Sequence, residues 1–237
     1  MIHEDRHGFL WITTSADLIS CYDLKHDCFV DFTGCGEYRD HYREAMVLDD
    51  AVWLWGAVEG CRRIEYQEGK FVSQAFTEGN GSLMSNDVCF VRQVGDKIWI
   101  GTRKGAYYWK EGRLVAADRT HSFWKVVSYG KTVLLISSDG ELFRMEKDTL
   151  ASVGRLPRHT QDWAMTGLFR IGKMQYVLTS EGTLEIDMET CRVRKASEYY
   201  DIPGGSSRKD NRGNYWIYNR SGRLYYIEAE TGRKKEF

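Results

Sequence analysis

Residues 99–105 read Trp-Ile-Gly-Thr-Arg-Lys-Gly, and an aromatic segment, Ala-Tyr-Tyr-Trp, follows directly at residues 106–109. A hydrophobic residue stands six positions before a glycine, and that glycine opens a second run of strand-forming residues. The same arrangement occurs six times, with successive copies 35 to 45 residues apart. The anchors of the six copies are Asp17, Gly60, Gly105, Gly140, Gly182 and Gly222. A repeat of about 40 residues that contains several short strands is typical of a β-propeller blade.

The repeat predicts an all-β fold, namely a β-propeller of about six four-stranded blades in a single domain over residues 1–237. An incomplete seven-bladed propeller is the alternative. Residues 5–11 and 210–216 share the pattern Asp-x-x-Gly-x-x-Trp. Aspartate caps tight turns and glycine adopts a positive φ, so this pattern predicts the hairpin between the first strand (A) and the second strand (B) of a blade. A helix is conceivable only at residues 37–45.

The amino-acid composition agrees with an all-β fold, and the sequence argues against a nucleic-acid partner and against a membrane-spanning segment. The 237 residues include 8 Trp, 14 Tyr, 10 Phe and 23 Gly but only 2 Pro, which favours strands and turns. A net charge of −1 argues against a nucleic-acid partner. The longest apolar stretch, residues 51–58, is too short to span a membrane. The six cysteines follow no zinc spacing, so we expect no metal, and Cys89 and Cys191 are expected in strands.

Two segments carry a resemblance to a known repeat family. Residues 86–88 with residues 99–105, and residues 4–12 with residues 21–23, resemble the two-component regulator propeller repeat. That repeat builds the periplasmic sensor region of hybrid two-component histidine kinases in Bacteroidetes. The resemblance implies an oligosaccharide ligand and a homodimer formed through the full-length receptor. The N-terminus contains no secretion signal, so the cytoplasm stays open as an alternative location.

The resemblance also bears on the boundaries of the chain. In the family, strand A precedes the Asp-x-x-Gly turn, as residues 88–94 do here, whereas most of this strand is missing from the first copy. Family members carry longer arrays, so we expect a fragment of a propeller. The competing hypothesis is a six-bladed ring, closed if the segment after Gly222 supplies the missing strand.

Blade topology predicts where a ligand binds. The loops from strand B to the third strand (C) and from the fourth strand (D) to the next strand A lie on one face, opposite the A-to-B hairpins. Polar and aromatic residues in these loops suit a polar ligand such as a sugar. Trp124, next to them, is expected to be buried between blades. The candidate ligand-binding residues are Asn86, Arg103, His121, Asp139, Trp163, Glu181 and Arg220.

Three functions are compatible with the sequence. The first is the non-enzymatic sensor that the resemblance implies, with no cofactor and no catalytic residues in this chain. The second is a propeller scaffold for protein–protein contacts. The third resembles the streptogramin-type lyases, in which His121 and His159 would act as acid and base. Because propellers host all of these functions, the fold alone cannot choose among them.

Overall fold

The computed structural model describes residues 2–13, 19–32, 42, 44–48, 50–146, 149–158, 164–219 and 221–237. Within these residues the regular structure is entirely β, with 24 strands in six four-stranded antiparallel sheets. In every sheet the four strands are neighbours in chain order. This is the strand order A to D that the repeat predicts, and it confirms the all-β fold class.

The first three sheets contain strands β1 to β12. The first sheet comprises β1 (Ile2–Glu4), β2 (Phe9–Thr13), β3 (Ile19–Asp23) and β4 (Cys28–Val30). The second comprises β5 (Glu44–Leu48), β6 (Ala51–Trp55), β7 (Cys61–Gln67) and β8 (Lys70–Phe76). The third comprises β9 (Val88–Val94), β10 (Lys97–Thr102), β11 (Gly105–Lys110) and β12 (Arg113–Asp118).

The last three sheets contain strands β13 to β24. The fourth sheet comprises β13 (Phe123–Tyr129), β14 (Thr132–Ser137), β15 (Glu141–Glu146) and β16 (Thr149–Arg155). The fifth comprises β17 (Met165–Ile171), β18 (Met174–Thr179), β19 (Gly182–Asp187) and β20 (Val193–Lys195). The sixth comprises β21 (Ser206–Lys209), β22 (Tyr215–Tyr218), β23 (Leu224–Ile227) and β24 (Lys234–Glu236).

The Asp-x-x-Gly-x-x-Trp pattern forms the A-to-B hairpin, as predicted. In the first sheet, Asp5 Oδ1 accepts hydrogen bonds from the backbone N–H groups of His7 (2.9 Å) and Phe9 (3.1 Å). Asp5 Oδ2 accepts the indole N–H of buried Trp11 at 2.9 Å. Gly8 has a φ of +84°, which completes the tight turn. One aspartate therefore fixes both the turn and the first large core residue of the sheet.

The anchor glycines mark the turn between strands B and C. The anchors at positions 60, 105, 140, 182 and 222 all have positive φ, while Asp17 lies outside the described residues. At Gly60 a Cβ atom would lie 2.2 Å from the carbonyl oxygen of Phe76. A side chain here would therefore force the end of β8 away from the turn.

Contacts divide the chain into two compact units, an N-terminal unit of Met1–Val126 and a C-terminal unit of Val127–Phe237. The core of the N-terminal unit is aromatic: Trp53 packs against Phe76 and Trp109 with ring centroids 5.9 Å apart in both pairs. Strand β6 is buried at all five positions, because both of its faces are covered. The single-domain organisation remains a prediction.

The C-terminal unit has its own aromatic core. Phe169 stacks on Tyr176 with centroids 4.6 Å apart, and Tyr199 meets both rings edge-on. Ile217 and Tyr225 of the sixth sheet complete this cluster and are fully buried. Among the described residues, each unit therefore contains hydrophobic clusters between neighbouring sheets, two in the N-terminal unit and one around Phe169 in the C-terminal unit, as expected of stacked blades.

One prediction about local structure is wrong, and two further possibilities can be compared with the described residues. Cys191 lies in the turn after β19 with a φ of +59°, although it is buried, whereas Cys89 does lie in a strand, β9. Residues 44 and 45 of the possible helix belong to strand β5, and most of the remaining segment lies outside the described residues. The segment after Gly222 pairs within the sixth sheet, so it does not supply a strand to the first.

Candidate ligand-binding site

A cleft in the N-terminal unit opens on the face predicted from the loops. Its volume is about 240 Å³. It lies where the B-to-C loops and the starts of the A strands meet, and we call it the arginine cleft. The residues that line it are Glu44, Trp55, Gly56, Ala57, Asp87, Val88, Cys89, Arg103 and Trp124.

Backbone hydrogen bonds hold the loops of the arginine cleft together. The N–H of Val88, at the start of β9, donates to the carbonyl of Gly56 at 2.9 Å. The N–H of Arg103, just after β10, donates to the carbonyl of Asp87 at 2.9 Å. These bonds fix loops from the second and third sheets against each other, so the side chains project from a rigid base.

The arginine cleft combines charge with aromatic surface. Arg103 Nε donates to Asp87 Oδ2 at 3.2 Å, and the Arg103 side chain is 60% exposed. The carboxylate of Glu44, at the start of β5, belongs to a residue that lines the same cleft. Trp124, the second residue of β13, is half-buried. The site can therefore donate and accept hydrogen bonds beside an accessible indole.

The thiol of Cys89 also lines the arginine cleft. Burial raises its pKa above the ordinary value, and Arg103 and Lys125 oppose this shift only in part. A thiol with a raised pKa remains protonated near neutral pH, so Cys89 is not an activated nucleophile.

One predicted site residue lines the arginine cleft, and two others lie within three positions of a lining residue in the chain. Arg103 lines it directly. Asn86, one residue before Asp87, exchanges two hydrogen bonds with Glu78 and accepts the N–H of Gly60 through its carbonyl. The imidazole Nδ1 of His121 lies 3.0 Å from Asp118 Oδ2. Asn86 and His121 thus hold loops of this face in position.

The remaining predicted residues belong to the C-terminal unit. Asp139 Oδ1 accepts the hydroxyl of Ser137 at 2.5 Å, and its Oδ2 pairs with Arg155 at 3.0 Å. The hydrogen bond from Ser137 holds the pKa of Asp139 below its ordinary value. Glu181 stands in the loop between β18 and β19, where its N–H donates to Thr179 Oγ1. Trp163, Arg220 and His159 lie outside the described residues.

Two residues of the arginine cleft were missed by sequence reasoning. Trp124 was expected to be buried between blades, and the structure shows a partly buried side chain that also lines the cleft. Glu44 is the first residue of β5, a position equivalent to the start of the other A strands. The sequence did contain a clue to Trp124, because this residue follows the candidate loop residue His121 by only three positions.

Two further observations bear on the chemistry. In the described part of the chain, no group of three or more His, Cys, Asp or Glu side chains is arranged to hold a metal ion. The same residues include no helix with the length and apolar character required to span a membrane.

Solved structures with the same fold come from proteins with different functions. The extracellular domain described as part of a hybrid two-component system of B. thetaiotaomicron matches with a TM-score of 0.68 and 15% identity, over 99% of this chain and 32% of that one. Virginiamycin B lyase from Staphylococcus aureus matches with a TM-score of 0.67 and 12% identity, over 100% of this chain and 82% of the lyase. The WD40 domain of Neurospora crassa Pan2 matches with a TM-score of 0.62 and 10% identity, over 100% of this chain and 77% of that one.

These likenesses show that the chain has a β-propeller fold, and its described residues form six four-stranded sheets. The resemblance to the two-component sensors is confirmed at the level of the fold. The chain spans about a third of the length of that sensor domain. No protein-family model matches the sequence, and no curated protein matches it.

Proposed function

We propose that this chain is the ligand-sensing propeller portion of a bacterial two-component sensor and that it works outside the cytoplasm. The observation that carries the proposal is the arginine cleft, because it lies on the predicted loop face and places Trp124 beside Arg103 and Glu44. The likeness in fold to an extracellular sensor domain supports the same reading. The signal would leave through a homodimer of the full-length receptor.

The ligand that we propose is an oligosaccharide. Sugars present hydroxyls that both donate and accept hydrogen bonds, and their C–H faces pack on indole rings. Arg103 can donate, Glu44 and Asp87 can accept, and Trp124 offers the ring. At about 240 Å³ the cleft is slightly smaller than the ~300–1,000 Å³ typical of pockets for drug-sized ligands. It therefore suits one sugar ring of a longer chain.

Titration calorimetry against a panel of oligosaccharides tests this proposal. Trp124→Ala and Arg103→Ala should each weaken binding by about tenfold, which corresponds to about 1.4 kcal/mol. Matched controls are Trp216→Ala, which removes a tryptophan that is 36% exposed in the sixth sheet, and Arg113→Ala on β12. The controls should bind as the unaltered protein does.

Two results would count against the proposal. The first is that no oligosaccharide binds at millimolar concentration. The second is that binding occurs and is equally strong in the Trp124 and Arg103 variants, which would place the ligand elsewhere. Consumption of a bound oligosaccharide would instead indicate an enzyme, and its products would be visible by mass spectrometry.

A further inference from the structure

A second cleft lies within the N-terminal unit, where the first sheet meets the second. Its volume is about 370 Å³, and we call it the aromatic cleft. It opens beside the hairpin that joins β7 to β8, at the opposite end of the antiparallel strands from the loops that form the arginine cleft. The lining residues that bear on its chemistry are Phe9, Tyr66, Phe71, Asp23, Asp31 and Lys70.

Three aromatic rings form the apolar wall of the aromatic cleft. The ring of Phe9, at the start of β2, lies 4.8 Å from that of Tyr66 and 5.1 Å from that of Phe71, measured between centroids. The rings of Tyr66 and Phe71 are 5.1 Å apart. Phe9 is buried, whereas Tyr66 and Phe71 are half-buried and line the cleft. Their accessible ring surface can therefore pack against a flat apolar group of a ligand.

Exposed charges of both signs line the same cleft. Lys70 is the first residue of β8, and Asp31 follows directly after β4. Both side chains belong to exposed residues, so a ligand in the cleft can reach them. The tight turn at Glu68 and Gly69, with φ values of +49° and +79°, fixes the chain just before Lys70. The cleft thus offers an ammonium group and a carboxylate to ligand groups of opposite charge.

A second carboxylate, that of Asp23, is held in place at the end of β3. Asp23 Oδ1 accepts the backbone N–H groups of Lys25 at 2.8 Å and of His26 at 3.1 Å, and its Oδ2 lies 2.7 Å from the Nδ1 atom of His26. The hydrogen bond with the His26 side chain holds the pKa of Asp23 below its ordinary value, so this carboxylate is ionised near neutral pH.

The charge of the aromatic cleft changes sign from one sheet to the next. Asp23 belongs to the first sheet and Asp31 to the segment that follows it, whereas Lys70 belongs to the second sheet. A ligand with a single charge would therefore leave one side of the cleft without a partner, and a neutral ligand would leave both. A ligand that carries both charges matches the two sides.

We propose that the aromatic cleft binds a zwitterion with an apolar body, namely an α-amino acid with an aromatic side chain. The ammonium group of the ligand pairs with Asp31, its carboxylate pairs with Lys70, and its ring packs on Tyr66 and Phe71. A volume of about 370 Å³ falls within the ~300–1,000 Å³ typical of pockets for small ligands. The site is separate from the arginine cleft and does not depend on the function proposed for it.

A nuclear magnetic resonance titration of the whole chain tests this proposal, with the backbone amide of Gly69, which lines the cleft, as the reporter. The probes are L-phenylalanine, N-acetyl-L-phenylalanine without the ammonium charge, 2-phenylethylamine without the carboxylate, and L-alanine without the ring. At millimolar concentration L-phenylalanine should shift the Gly69 resonance until it saturates. Each of the other three probes should bind more weakly by about fivefold or more.

Two variants assign the charges of the ligand to their partners. Lys70→Gln should weaken the binding of L-phenylalanine about fivefold and leave that of 2-phenylethylamine unchanged, because this probe has no carboxylate. Asp31→Asn should weaken the binding of L-phenylalanine to a similar extent without weakening that of N-acetyl-L-phenylalanine. The matched control is Arg113→Gln, since Arg113 begins β12 after the same Glu-Gly turn in the third sheet. It should bind L-phenylalanine as the unaltered protein does.

Three results would overturn the proposal. They are the absence of a saturable Gly69 shift with L-phenylalanine, equal binding of a probe that lacks one charge, and equal binding of L-phenylalanine by Lys70→Gln. The first two are measured on the unaltered protein, so they decide the matter even where a variant fails to fold. Arg103→Ala should leave the titration with L-phenylalanine unchanged, which separates a failure here from a failure of the function proposed for the arginine cleft.

Discussion

At the scale of single residues, Asp5 shows how one side chain joins local structure to the core. It receives two backbone N–H groups of its own turn and the indole N–H of Trp11, which is 1% exposed. Asp5→Ala leaves the buried indole donor without its acceptor. We expect the free energy of unfolding to fall by about 2 kcal/mol. Chemical denaturation followed by tryptophan fluorescence measures this loss.

Asp96 provides a control for Asp5, because it also stands in an A-to-B turn, between β9 and β10. Its side chain is 69% exposed and contacts only Lys110 among the ion pairs of the described residues. Asp96→Ala should leave the denaturation midpoint unchanged within error. Equal losses in the two variants would mean that the turn, and not the indole bond, accounts for the effect.

The lowered pKa of Asp118 predicts that the stability of the protein depends on pH. Its burial raises its pKa, but hydrogen bonds from the N–H groups of His121 and Thr120 and from the His121 imidazole outweigh burial and lower it. The pKa of Asp118 is therefore lower in the folded chain than the ordinary value of about 3.9 that applies to the unfolded chain. The ionised carboxylate stabilises the folded protein at pH values above about 3.9, and this stabilisation disappears as the pH falls through the pKa of the folded state.

Asp118→Asn tests that dependence. The difference in free energy of unfolding between the unaltered protein and Asp118→Asn should be constant from about pH 7 to pH 5 and shrink below about pH 4. Urea denaturation at a series of pH values measures it. A difference that stays constant into the acid range contradicts the assignment.

At the scale of elements, strand β10 of the third sheet packs closely against a side chain of the neighbouring strand β9. Gly101 of β10 pairs with Phe90 of β9, and a Cβ atom at position 101 would lie 2.0 Å from a ring carbon of Phe90. Gly101→Ala therefore has to displace a ring that is 1% exposed. We expect a loss of about 2–3 kcal/mol in the free energy of unfolding.

Two variants make the Gly101 prediction specific. In Gly154→Ala, on β16, the added Cβ lies 3.6 Å from its nearest neighbour, so the stability should change little. Adding Phe90→Leu to Gly101→Ala should recover part of the loss, because the smaller side chain makes room. Strictly additive losses in that double variant would contradict a clash with Phe90.

Sequence reasoning predicted the strands and turns better than it predicted the single residues of the site. The spacing of the anchors and the strand-forming runs gave the strand order, because turns need glycine or aspartate and strands need alternating or continuous apolar residues. Cys191 was misplaced because an apolar residue in a turn carries the same pattern signal as one in a strand. The role of Trp124 in lining the cleft was not predicted, because large aromatic residues are usually buried and the cleft depends on loops that no local pattern describes.

At the scale of the whole molecule, the first and the sixth sheet each carry large hydrophobic side chains that are exposed. On the sixth sheet, cross-strand partners form a row of two aromatic residues between two cations. The members of this row are Arg208, Trp216, Tyr226 and Lys235. Next to them, Tyr218 and Phe237 are 58% and 59% exposed. Apolar surface of this kind on a repeat protein marks a place where a further layer packs.

On the first sheet, exposed hydrophobic side chains lie beside one carboxylate. Its row of cross-strand partners is Glu4, Leu10, Tyr22 and Phe29. Phe29 is 69% exposed, and Ile2 beside this row is 64% exposed. Glu4 lies on the first strand of its sheet, as Arg208 does on the sixth, so the carboxylate of one molecule can pair with the guanidinium of another.

We therefore expect the chain to associate with a second copy, first sheet against sixth sheet, at concentrations of tens to hundreds of micromolar. Glu4→Lys and Arg208→Glu should each weaken the association, because each places like charges opposite one another, and the double variant should restore it. Glu111→Lys, at a side chain that is 82% exposed in the third sheet, is the control and should associate normally. Sedimentation velocity across that concentration range measures the effect. A chain that stays monomeric throughout, or a double variant no stronger than either single one, contradicts pairing through these two faces.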